Sequence, residues 1–143
     1  TTTVFFSAGT QLLSLPVAGN GVPTLLHQNP GSVLHIALDA THVYWTTTAP
    51  GPGVHRATHA GGQVTTLAKG LQPRGLAVDA ASTYWADIGT GALYKTPNAG
   101  GPSVPLTSFI SGVDEVRVDS SHVYFTTIAP SWVSCSGVHK IAK

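Results

Sequence analysis

The sequence repeats itself with a period of 40 residues, and that period admits few folds. Asp39, Asp79 and Asp119 stand 40 apart, as do Tyr44, Tyr84 and Tyr124, and Trp45 and Trp85 are followed at the same step by Phe125. An incomplete copy opens the chain. There VFFS from Val4 falls at the position of VYWT, and LPVAGNGVPTLL from Leu15 parallels TPNAGGPSVPLT from Thr96.

Each full unit divides into four short segments. LHIALD, GLAVD and EVRVD come first; HVYWT, STYWA and HVYFT second; GVHRAT, ALYKTP and GVHKIA third; QVTTLA and SVPLTS fourth. Short β-branched and aromatic runs, punctuated by Gly, Pro, Asn and Asp every ~8–12 residues, are the pattern of antiparallel strands. No stretch carries helical periodicity. The expected fold is all-β: a β-propeller of ~40-residue, four-stranded blades whose faces are buried against neighbouring blades.

The 143 residues have the length of a single domain. Its blade segments run over roughly residues 1–31, 32–73, 74–113 and 114–143, about three and a half blades. The chain enters at the second strand of one blade and leaves after the third strand of another. Propellers close with about four to eight blades, and open edges invite pairing. Membership of a longer propeller or a homo-oligomer is therefore expected ahead of a lone small ring. A second periodicity overlies the first: HVYWTTTAP from His42 matches HVYFTTIAP from His122 better than either matches the copy between them. Blades of alternating type predict an even blade count in a complete ring.

GLAVDAASTYWAD followed by GALYKTPNAGG resembles the YWTD repeat of the low-density lipoprotein receptor class B type and its bacterial relatives among TolB-like and NHL-like propellers. The resemblance runs over essentially the whole chain. It implies a propeller, typically six-bladed in the YWTD case, that works outside the cytoplasm as a binding surface. Only Tyr84-Trp85-Ala86-Asp87 keeps the final Asp of that motif; Ala8, Thr47 and Thr127 stand in the other copies. The superfamily also contains lactonases and lyases, but fold does not transmit function.

Charged residues make up 9% of the chain and the formal net charge is +1. Without a Lys/Arg cluster the electrostatic footprint of a nucleic-acid binder is missing. No apolar run approaches the ~20 residues that span a bilayer, so no membrane insertion is expected. The absence of methionine points to a processed chain or a piece of a longer one. The single cysteine, Cys135, rules out an internal disulfide. A Ser/Thr/Gly-rich, weakly charged composition fits a secreted, periplasmic or cell-surface protein.

Residues the architecture demands are poor candidates for chemistry. Asp39, Asp79 and Asp119 follow apolar strands and are placed to accept turn hydrogen bonds. His42 and His122 share one repeat position, and His55 and His139 another. Members of each pair are two sheets apart, roughly 20 Å, too far for a shared metal. No metal or cofactor is expected.

Residues that break the repeat carry more information. On the innermost strand, equivalent positions hold His35, Gly75 and Glu115; one residue earlier stand Leu34, Arg74 and Asp114; two residues later Ala37, Ala77 and Arg117. His35, Arg74, Asp114, Glu115 and Arg117 are thus candidates for a ligand site at the channel mouth. The competing reading is an ion pair of Glu115 with Arg117 on one strand face. Trp132, in SWVSCS beside Cys135, is a further candidate on a lengthened loop.

No nucleophile elbow, zinc motif or phosphate loop is present. The expected function is non-enzymatic: an extracytoplasmic scaffold that recognises a protein or glycan through its channel mouth and loops. One alternative is a lactonase- or lyase-like enzyme holding a divalent ion on carboxylates such as Asp114 and Glu115, distinguished by stoichiometric ion binding. The other is a structural repeat fragment that acts by self-assembly.

Overall fold

Fourteen antiparallel strands make four sheets in a computed structural model, which describes residues 2–18, 21–108, 112–127 and 137–143. Blade 1 is β1 (Thr3–Ala8), β2 (Gln11–Pro16) and β3 (Thr24–Gln28). Blade 2 is β4 (Val33–Leu38), β5 (His42–Thr47), β6 (Gly53–Thr58) and β7 (Gly61–Lys69). Blade 3 repeats that order with β8 (Pro73–Val78), β9 (Ser82–Asp87), β10 (Ala92–Pro97) and β11 (Val104–Ser108). Blade 4 has β12 (Val113–Val118), β13 (His122–Thr127) and β14 (Gly137–Ala142). Strands pair strictly with their sequence neighbours, each sheet is a meander, and consecutive blades pack face to face. This is a partial β-propeller, with the three-, four-, four- and three-stranded pattern that the repeat predicts.

Three apolar clusters fill the spaces between blades. Trp45 anchors the first with Leu12, Val33 and Val43; Tyr44, Leu67, Leu76 and Trp85 form the second; Tyr84, Leu93, Val116 and Phe125 the third. Tyr44 and Trp45 are fully buried although adjacent in β5. Successive strand side chains point to opposite faces, so adjacent aromatics serve two different interfaces. That is why the aromatic pair recurs with every blade.

The repeated Asp and Tyr are also bonded to each other. The Asp39 Oδ1 accepts from the Thr41 and His42 backbone N–H groups, both at 2.7 Å, and the Tyr44 hydroxyl donates to Oδ2 at 2.7 Å. Asp79 and Asp119 repeat the arrangement with Tyr84 and Tyr124, at 3.0 and 2.8 Å. Each carboxylate ties the turn to the strand that follows. Asp79 carries one more partner: Lys143, after the last strand of blade 4, places Nζ 2.5 Å from its Oδ2 and 5.4 Å from the Tyr84 ring centre. Blade 4 is thereby clamped to blade 3.

Burial alone would raise the Asp39 carboxyl, but the bonds from Tyr44, Thr41 and His42 outweigh it and hold its pKa down to about 2. Asp79 likewise resists burial and sits at about 2, held by Lys143, by the Ala81 and Ser82 N–H groups and by Tyr84. The stability these carboxylates contribute is complete above about pH 4 and is lost as the pH falls through about 2. Burial, helped by nearby His27, pushes His55 down to about 4. Its contribution is complete above about pH 6.5 and is lost as the pH falls through about 4. Thermal melts from pH 7 to pH 2 should therefore show two successive declines. Asp39→Asn with Asp79→Asn should flatten only the lower one; an unaltered acid limb would contradict the assignment.

Candidate functional site

The innermost strands β4, β8 and β12 are each interrupted in the same place. Pairing with the second strand is regular at Val33–Thr47 and again from Ile36–Trp45, with a shift between; Pro73/Leu76 and Val113/Val116 repeat the irregularity. The residues inside these interruptions are Leu34 and His35, Arg74 and Gly75, Asp114 and Glu115. Four of the sequence-selected residues thus fall where the ladder lapses, the situation in which a bulge re-aims side chains.

A lapsed ladder leaves backbone donors to satisfy. The His35 N–H finds the Thr46 Oγ1 at 3.2 Å, and the Glu115 N–H finds the Thr126 Oγ1 at 3.2 Å. Blade 3 has Ala86 at that hydroxyl position and Gly75 opposite His35 and Glu115 in the repeat. Gly75 has an extended backbone, and its missing side chain serves proximity. A Cβ there would lie 2.6 Å from the Asp114 carbonyl oxygen and 2.9 Å from the Val116 Cγ2. The inner strands of blades 3 and 4 approach closely as a result.

That approach brings the charges together around His35. Desolvation lowers its pKa, opposed by the negative charges of Glu115 and Asp114 and reinforced by the positive charges of Arg74 and Arg117. The His35 Nδ1 is buried and, among the described residues, makes no hydrogen bond. Glu115 and Arg117 do pair: Arg117 Nη1 lies 2.7 Å from Glu115 Oε2 as an ion pair without hydrogen-bond geometry, and donates its hydrogen bond to the Val116 carbonyl at 2.9 Å. The ion pair expected from period-two spacing is present, and it sits beside the unpartnered imidazole. Arg74 opens onto a cleft of ≈ 300 Å³ with Thr48, Leu71 and Gln72, whereas Arg117 faces a separate ≈ 290 Å³ space among Ile36, Leu76 and Ala77. The five residues therefore form one electrostatic neighbourhood that spans two clefts. Trp132 and Cys135 lie outside the described residues.

The repeated Asp and His residues serve architecture. Thr41 Oγ1 and Ser121 Oγ each meet the Nδ1 of the following histidine at 2.7 Å, and His139 stacks on Phe125 at 5.2 Å. Among the described residues no group of three or more His, Cys, Asp or Glu is placed to hold a metal ion. One arrangement has no counterpart in the sequence reading. His27 and His55, unrelated by the repeat, flank Trp45 at 5.9 and 5.7 Å in the groove between blades 1 and 2. The available signal was that His27 follows Leu26 as Ala68 follows Leu67, an imidazole in place of a methyl group.

No family model matches the chain, and no curated protein sequence matches it. Solved structures do. A YWTD-type β-propeller in the crystal structure of a nidogen/laminin complex superposes with a TM-score of 0.75 at 21% identity, over 86% of this chain and 52% of that one. A putative TolB from Agrobacterium tumefaciens superposes with a TM-score of 0.76 at 16% identity, over 98% of this chain and 54% of the other. The likeness establishes the β-propeller fold. The chain spans about half the length of the solved structures it matches.

Proposed function

We propose that this protein is a binding module of β-propeller architecture, whose channel mouth recognises a polar feature of a protein or glycan partner. The observation that carries the reading is the His35 Nδ1, buried and unpartnered among the described residues, within reach of the charges of Arg74, Asp114, Glu115 and Arg117. An unused buried acceptor or donor costs free energy, and a bound partner that supplies its complement recovers it. The propeller of the nidogen/laminin structure belongs to a protein–protein complex, which supports a protein as the partner. The module works within a larger ring, completed by further blades or by a second copy, in a secreted, periplasmic or cell-surface setting that suits its low charge.

Selection of a random peptide library against the purified chain, with a glycan array in parallel, tests this. Ligands recovered should bind His35→Ala and Arg117→Glu at least tenfold more weakly, and Thr65→Ala, exposed on the outermost strand of blade 2, with unchanged affinity. Equal binding to all three variants would remove the channel from consideration. Sedimentation velocity separates the two ways of completing the ring. A 14.7 kDa monomer at all concentrations would exclude the second copy.

A further inference from the structure

The groove between blades 1 and 2 is built differently from its repeat equivalent between blades 2 and 3. In the latter, Leu67 packs against Trp85, Tyr94 stacks on the same indole at 4.6 Å, and buried Asp87 ties down the connector. In the former, strand register puts Leu26 at the place of Leu67 and His27 at that of Ala68, while His55 and Thr47 replace Tyr94 and Asp87. Smaller groups, His55 and Thr47, stand where Tyr94 and Asp87 close the space, and the His27 imidazole stands where Ala68 does. What remains is a cleft of ≈ 470 Å³, within the size range of small-molecule sites.

Most of the polar groups at this cleft are already committed. The Asn29 Oδ1 accepts from the Trp45 Nε1 at 2.8 Å, and its Nδ2 donates to the Thr10 carbonyl at 3.1 Å. The His55 Nε2 and Nδ1 pair with the Thr47 and Thr66 hydroxyls at 3.0 and 3.1 Å. Two groups are left: the Lys69 ammonium and the His27 imidazole, neither of which makes a hydrogen bond or ion pair among the described residues. Among the described residues, Lys69 is the one charged residue lining the cleft, and no carboxylate lines it. Apolar wall comes from Pro30, Pro52 and Val64.

We infer that the groove between blades 1 and 2 is a second ligand site, selective for a small planar organic anion of the aryl carboxylate class. The ring lies against the prolines and imidazoles, and the carboxylate meets the Lys69 ammonium and the His27 N–H. A neutral aromatic forfeits the charge contact, and an aromatic cation is repelled by Lys69.

Titration of the ¹⁵N-labelled chain with benzoate and indole-3-carboxylate, against benzamide and benzylamine, tests the assignment. Saturable shifts are expected at His27, His55 and Lys69 with both anions, with benzamide and benzylamine at least tenfold weaker. Lys69→Gln, on an exposed strand end, should weaken benzoate at least tenfold. His27→Ala with His55→Tyr, which installs the residues of the filled groove, should abolish binding while the fold persists. Absence of saturable shifts with either anion, or an unchanged affinity in Lys69→Gln, would overturn the inference. Arg117→Glu should leave benzoate binding intact, which separates this site from the channel.

Discussion

Asp87→Ala is expected to destabilise the protein by ~4 kcal/mol, enough to threaten a domain of this size. The Asp87 carboxylate is 1% exposed and accepts from four backbone donors: Leu71 at 2.7 Å, Gln72 at 3.0 Å, Gly89 at 2.8 Å and Thr90 at 3.3 Å. Two of these lie on the connector from blade 2, so one side chain fastens the turn of its own blade and the entry of the chain into it. The site is closed to anything larger. A Cβ on Gly70 would stand 2.7 Å from Oδ2, and one on Gly89 2.6 Å from the Leu71 Cβ. Alanine strands donors that each cost about 1–3 kcal/mol when buried without a partner. Asn keeps one acceptor oxygen and should lose about half as much. Urea denaturation with an unchanged slope checks the figure, and hydrogen exchange at Leu71 and Gln72 should accelerate first. A loss below ~1 kcal/mol would show that water replaces the carboxylate without penalty.

Gly75→Ala is the second large effect, expected at ~3 kcal/mol. Restricting the unfolded chain favours alanine by about 0.4–1 kcal/mol. Against it, the new methyl would press on the Asp114 carbonyl oxygen and the Glu115 carbonyl carbon, at 2.6 and 3.0 Å. Both are backbone atoms of a neighbouring blade and cannot swing aside, so overpacking prevails. The inner strands of blades 3 and 4 must separate, and the Glu115–Arg117 pair moves with them. The measurable sequel is a changed environment at His35, read from its side-chain resonances. A stabilised Gly75→Ala would mean that the blades slide apart freely.

The fold was legible because a repeat carries its own internal controls. A residue present in every copy, such as Tyr44, Tyr84 and Tyr124, is explained by what every blade needs, and strand order follows from the spacing. Part of the local chemistry was legible too. The Asp39 carboxylate accepts turn N–H bonds as its position implies. Its bond to the Tyr44 hydroxyl is not legible in the sequence, because ring packing alone suffices to explain a Tyr five residues away. The channel residues could be selected by their departure from the repeat, yet the interruption that gathers them was invisible. Period-two geometry assumes an unbroken ladder, and the ladder lapses at His35, Gly75 and Glu115. The groove at His27 and His55 was hidden for a different reason. It joins residues of two blades at unrelated repeat positions, a relation that only packing reveals.

Blades 2 and 4 share one set of polar contacts, and blade 3 has another. Thr47 meets His55 and Thr127 meets His139, each at 3.0 Å, where blade 3 uses Asp87 and Tyr94. The grooves of the propeller are thereby of two kinds, and they alternate. For an array grown by copying blades in pairs, the number of open grooves would scale with the number of pairs. An open groove becomes a ligand site only where the preceding blade also brings an imidazole, as His27 does and Thr107, its counterpart two blades on, does not, so such a ring would bind fewer small molecules than half its blade count.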